Sequence, residues 1–147
     1  IRGVDTSFRG LTGLDSLMWQ GRFFRADDDQ DLAVLGKGVS YYLGLGLQDM
    51  YNPLFLYIPK PGATMSTRPE DAFRINGLFP IGIFSVQSDF DGEYVLVPIS
   101  FMRGTLGVSS TTVSALEFRC TSDKAMEELH AQWKKDLGPD YIVENRY

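Results

Sequence analysis

Apolar residues in this chain come in short runs broken by glycine, proline and aspartate, and the period of each run predicts an element. Leu17-Met18-Trp19-Gln20-Gly21-Arg22-Phe23 reads as a short strand and Ala33-Val34-Leu35 as another. After Gly36-Lys37-Gly38, the run from Val39 to Leu43 fits a short helix closed by Gly44. Leu54-Phe55-Leu56-Tyr57-Ile58 is apolar without interruption, the pattern of a strand covered on both faces. Phe73, Ile75 and Phe79 alternate with Arg74 and Asn76, so a half-buried strand is expected there. Pro80 and Gly82 predict a bend or bulge before Ile83-Phe84-Ser85-Val86. Asp89-Phe90-Asp91-Gly92 carries a turn signal. Tyr94-Val95-Leu96-Val97 is a strand stopped by Pro98, and residues 99–106 fit a short helix ending at Gly107. The first fifteen residues are weakly patterned.

Beyond residue 112 the pattern changes. Residues 113–120 alternate, which places Leu116, Phe118 and Cys120 on a core face and Glu117 and Arg119 outside. Met126, Leu129, Trp133 and Leu137 then form one apolar stripe on a helix over 123–137. Ser122 or Asp123 caps its start, Lys134 and Lys135 favour its negative end, and Gly138-Pro139 stop it. Tyr141-Ile142-Val143 begins a last strand. The expected organisation is therefore α+β: residues 1–112 as a β-rich part with short helices, and 113–147 as strand, helix, strand.

Composition narrows the chemistry. With 147 residues, the chain is long enough for one domain, or one domain with a small appendage. Fourteen Lys and Arg against nineteen Asp and Glu give a net charge of −5, which argues against nucleic acid as a partner, because no positive field neutralises phosphates. One Cys cannot form an internal disulfide, and one His with one Cys excludes the common His/Cys zinc sets. Cys120 reads as a buried structural thiol and His130 as a solvated or packing residue. Asp27-Asp28-Asp29-Gln30-Asp31 superficially suggests a calcium loop, but Leu32 and Gly38 stand where an EF-hand needs Gly and Glu, so a solvated turn is expected. Gly36-Lys37-Gly38 is not a phosphate loop, since Tyr41 occupies the third Gly position of GxGxxG. No catalytic, cofactor-binding or metal-binding set is expected. No run approaches the roughly eighteen apolar residues of a membrane span. The chain starts at Ile1 without an initiator Met and stops in an apparent strand, so it reads as a piece excised from a larger protein.

The order of signals carries a resemblance. Gly77-Leu78-Phe79, then Gly82, Asp89 to Asp91 and Val95-Leu96-Val97-Pro98, followed by a short helix with a terminal Leu-Gly, resembles the extracytoplasmic domain of MacB/FtsX/LolCE-type ABC transporter permeases. Upstream, Ala33-Val34-Leu35-Gly36-Lys37-Gly38 and Tyr42-Leu43-Gly44-Leu45 are similar to that group's strand, Gly, short helix and Leu-Gly segment. The likeness covers most of the chain, and within the group it is strongest to lipoprotein-releasing permeases.

The resemblance implies a non-catalytic periplasmic domain of an inner-membrane permease: a Sabre-like β-rich part plus the second half of a porter-like β-α-β part. The missing half would leave apolar surface in need of a partner. It also implies a separate cytoplasmic ABC ATPase, a permease dimer, no cofactor, and a periplasmic carrier chaperone or lipoprotein as partner. In lipoprotein-releasing members a loop between two Sabre strands hooks the carrier. By order that loop falls here on Pro61, Gly62, Ala63, Thr64, Met65, Ser66, Thr67, Arg68, Pro69, Glu70 and Asp71, with Met65 as its apolar anchor. An ordinary solvated loop is the plainer reading of the same residues. Two other functions stay open: an enzyme using Asp89, Asp91 and Glu93, and a small-molecule or lipid-binding module lined by Tyr41, Tyr42, Tyr57 and Phe90.

Overall fold

The computed structural model describes residues 1–28, 31–47, 53–60 and 72–145. Two compact units divide the chain, Ile1–Val113 and Ser114–Tyr147. The first contains β1 (Arg2–Val4), α1 (Phe8–Thr12), a 3-10 helix (Leu14–Leu17), β2 (Met18–Gly21), β3 (Leu32–Gly36), α2 (Lys37–Leu43), β4 (Leu54–Pro59), β5 (Phe73–Phe84), α3 (Ser88–Glu93), β6 (Val95–Pro98) and α4 (Ile99–Leu106). The second contains α5 (Asp123–Asp136). The architecture is α+β around a mixed sheet.

The sheet runs in the order β1-β6-β3-β5-β2, and β4 joins it by pairing with β5. β1 with β6 and β3 with β5 are parallel; β3 with β6, β5 with β2, and β5 with β4 are antiparallel. The two central strands are covered on both faces, which explains their unbroken apolar runs. Val34 and Leu96 point into one cluster with Phe8, Phe23, Phe24 and Phe84. Ala33, Leu35, Val95 and Val97 point into the other with Leu78 and Phe101. Phe24, Phe84, Leu35 and Leu78 are among the side chains with less than 2% exposure, each stabilising the unit by about 1.5–3 kcal/mol relative to exposure.

The break predicted at Pro80 and Gly82 is a β-bulge. Leu32 and Ala33 pair with Phe79 and Pro80, but Val34 pairs with Gly82, so Ile81 is the extra residue. Arg22 takes advantage of the kink: its N–H donates to the Ile81 carbonyl at 3.0 Å. A Cβ on Gly82 would overlap the Arg22 carbonyl oxygen, so only glycine admits this strand crossing.

Two expectations for this unit need correction. β4 is not covered on both faces: its residues alternate, and Phe55 and Tyr57 are 57% and 56% exposed. It pairs with the first half of β5, which projects past β3 and has a packing layer on one side. The Asp89–Gly92 turn signal lies inside helix α3. There the buried Asp91 carboxylate accepts from Ser85 Oγ at 2.9 Å and the Val86 N–H at 2.7 Å, which anchors the helix start. The first fifteen residues, weakly patterned in sequence, form β1, α1 and the first half of the 3-10 helix. Asp5 organises them by accepting from the Ser7 and Phe8 N–H groups at 2.9 and 3.2 Å.

In the second unit, α5 matches its predicted span to within a residue, with Ser122 Oγ accepting the Ala125 N–H at 3.2 Å. Met126, Leu129 and Trp133 are half-buried, and the Phe118 ring meets Trp133 edge-on at 4.7 Å. The flanking segments are not strands among the described residues. Leu116 is 71% exposed and Phe118 57%, while Cys120 is half-buried, so the expected inward face is largely outside. Alternation marks a possible strand, but a strand exists only where a neighbouring backbone takes its N–H and C=O groups. The return segment is held instead by His130, whose Nε2 lies 3.2 Å from the Val143 carbonyl oxygen.

Candidate functional site: the β4–β5 hairpin

Leu54 to Pro59 pair in register with Leu78 back to Phe73, and the Lys60 N–H closes the ladder by donating to the Ala72 carbonyl at 2.8 Å. The expected docking residues, Pro61 to Asp71, lie outside the described residues. They connect the two strand ends that this last bond brings together.

The stem has two unlike faces. On the inner face, Leu54, Leu56 and Leu78 pack with Phe101 of α4. Next to them Arg74 donates from its guanidinium to the Thr105 carbonyl at 2.5 Å, and Asn76 Nδ2 donates to Thr105 Oγ1 at 2.8 Å. Thr105 is buried, so a single residue near the negative end of α4 receives both bonds and clasps the hairpin to the helix.

The outer face carries Phe55 and Tyr57 from β4 and Phe73, Ile75 and Phe79 from β5, with no charged side chain among them. Tyr57 and Phe73 meet edge-on at 6.4 Å. Ile75 and Phe79 are 43% and 44% exposed. Gly77 leaves the room that the Phe55 ring partly fills, with a ring carbon 3.8 Å from where a Cβ would stand. An aromatic side chain offers about 150–250 Å², so half-exposed rings and Ile75 together leave about 400 Å² of apolar surface, a size typical of a functional patch on a monomer.

The alternation expected of a half-buried strand is present, but its apolar residues do not face the core. Arg74 and Asn76 point to the helix, and Ile75 and Phe79 point to water. The missed signal is Gly77-Leu78: the buried residue of this strand is Leu78, in phase with Arg74 and Asn76 rather than with the phenylalanines.

Between the stem and α4 runs an open groove of about 700 Å³, lined by Asp31, Lys60, Arg74, Asn76, Ser100 and Thr105 among others. Arg74, Asn76 and Thr105 of its lining are the residues of the clasp. The four aromatic residues considered for a binding pocket do not line it, nor a smaller cavity of about 250 Å³ beside β1. Tyr41 and Tyr42 are almost fully exposed, while Phe90 stacks on Tyr94 at 4.3 Å.

The acidic run and the glycine pair have structure-holding roles among the described residues. Asp28 accepts two bonds from the Arg22 guanidinium, at 2.5 and 2.7 Å, and one from the Arg25 N–H at 2.7 Å. The Arg22 hydrogen bonds, then the Arg25 N–H, hold its carboxyl down at about 2. Asp5 is also lowered, chiefly by the Ser7 hydroxyl. At the start of α2, a Cβ on Gly36 would overlap the Asp91 carbonyl oxygen, so the glycine there serves helix-to-helix approach. Among the described residues no three His, Cys, Asp or Glu side chains converge as metal ligands, and no helix is long and apolar enough to cross a membrane. No protein-family model matches the chain, and no curated protein matches it.

Proposed function

We propose that this chain is the periplasmic domain of an ABC transporter permease of the MacB/FtsX/LolCE type, and that the β4–β5 hairpin docks its periplasmic partner. The observation that carries the reading is the two-faced stem: a polar clasp on Thr105 within, an uncharged aromatic face without. A hairpin fixed at its base and apolar on its free side is built to meet another molecule. In this reading residues 1–112 correspond to the Sabre-like part, and 113–147 to half of a porter-like part. The chain performs no catalysis. Its permease, as a dimer in the inner membrane, takes energy from a separate cytoplasmic ATPase and couples it to release of a substrate, a lipoprotein in the closest subgroup. The partner at the hairpin is a carrier chaperone for that lipoprotein.

The test replaces residues 61–71 with a two-residue Asn-Gly turn between Lys60 and Ala72. Thermal unfolding by circular dichroism is expected to stay within a few degrees of the parent. Binding of a purified periplasmic lipoprotein carrier, measured by surface plasmon resonance, is expected to fall at least tenfold. Undiminished binding by a folded deletion variant refutes the docking role.

A further inference from the structure

A second surface, on α2 and β2, has a different character. Trp19 sits at a β-bulge: Met18 pairs with Phe84 and Gln20 with Ile83, so Trp19 has no partner across the ladder. Bulges re-aim side chains, and this one leaves the indole 51% exposed. Lys37, the first residue of α2, places its ammonium 4.5 Å from the Trp19 ring centroid. Tyr41 lies one helical turn further, on the same side of α2 as Lys37. Tyr41 and Tyr42 are 90% and 88% exposed, and Leu43 beside them 45%. Neither β2 nor α2 contains an acidic residue, in a chain that has nineteen.

We propose that this surface seats on the headgroup region of a phospholipid bilayer. Apart from Leu43, its side chains are amphipathic: an indole with its N–H, two phenols, and a lysine whose stem covers the ring face. That set is the one enriched where an apolar layer meets water. The two tyrosines project from the end of the helix and rest on almost nothing, so they suit a yielding medium better than a flat, close-packed protein surface. β2 and α2 themselves bring no carboxylate to the lipid phosphates, whereas α3, packed against α2, carries exposed Asp89 and Glu93, and with the net charge of −5 this directs the surface to zwitterionic rather than strongly anionic membranes. The inference does not depend on the permease reading, and failure of either leaves the other standing.

The experiment uses the 147-residue chain with phosphatidylcholine vesicles. Trp133→Phe leaves Trp19 as the single tryptophan reporter. Vesicle flotation is expected to recover the protein, and Trp19 emission is expected to shift to the blue. Tyr41→Ser/Tyr42→Ser, at two exposed positions, is expected to weaken partitioning roughly tenfold or more with unchanged thermal unfolding. Flotation of the unsubstituted chain and of the tyrosine variant gives the same comparison without the reporter substitution. The proposal is overturned if the parent stays in the aqueous fraction, or if the tyrosine variant partitions equally well. A vesicle-independent emission shift that tracks protein concentration and a doubled mass would overturn it too, by assigning the surface to self-association.

Discussion

Replacing Gly82 with alanine probes the strand crossing at the centre of the first unit. The added Cβ would lie 2.5 Å from Met18 Cε and 3.0 Å from the Arg22 carbonyl carbon, and would overlap the Arg22 oxygen. Met18 can move, but the Arg22 backbone is held by its bond to Ile81. Overpacking against a fixed neighbour costs about 1–3 kcal/mol, and a backbone clash sits at the upper end. A unit of this size has about 10 kcal/mol of stability, so Gly82→Ala should remove roughly a third. At about 3–6 °C per kcal/mol for a unit of this length, Tm should fall by about 10–15 °C. Gly104→Ala is the internal control. Gly104 lies in α4, is exposed, and has nothing within 4 Å of its would-be Cβ. Alanine there should stabilise by about 0.5–1 kcal/mol and raise Tm by a few degrees. Both variants would be followed by circular dichroism melting at a fixed protein concentration. A Gly82→Ala Tm within 2 °C of the parent, or two shifts of the same sign, would refute the close crossing of Arg22 over β5.

Thr105→Val keeps the shape but removes the Asn76 acceptor; it should loosen the stem by about 1–2 kcal/mol, seen as faster hydrogen exchange at β4 and β5 amides with α5 amides unchanged. Phe55→Ser/Tyr57→Ser should shift Tm by only a few degrees, since both side chains are more than half exposed, yet weaken carrier binding in the plasmon-resonance assay. Asp28 is lowered from 3.8 to about 2 by Arg22 and the Arg25 N–H, so its contribution is present above pH 4 and is lost as pH falls towards 2. The Arg22 partner is 44% exposed, which limits that contribution to about 1 kcal/mol or less. Asp28→Asn should remove this part of the acid dependence in urea midpoints at pH 5, 3 and 2; an unchanged slope between pH 4 and 2 would contradict the pairing.

Much of the fold was legible because local chemistry and tertiary packing agree. The Ile99–Leu106 helix has Pro98 before it and Gly107 after it, and the Ser122 cap fixes the start of α5. Pro80 lacks an N–H, which announced the bulge at Ile81. The failures have a common cause in long-range context. Asp89-Phe90-Asp91-Gly92 has turn chemistry, but bonds from Ser85 and Val86 to Asp91 draw it into a helix. The 113–120 alternation presupposes a neighbouring strand, and none is present among the described residues. The inward face of the hairpin was not legible because period alone says which residues share a side, and only the Thr105 clasp says which side is inward. At the candidate site, therefore, the two strands that flank residues 61–71 were readable, while the apolar stem surface was not.

β5 is a single strand of twelve residues, about 40 Å of extended chain. Its second half is locked between β3 and β2, and its first half is the stem. The same covalent rod is thus both buried beam and protruding arm, interrupted by one kink at Ile81. A force applied at the end of the stem would reach Phe84 and the aromatic cluster as a torque about that kink. The stem is in this sense a lever whose fulcrum is already inside the core.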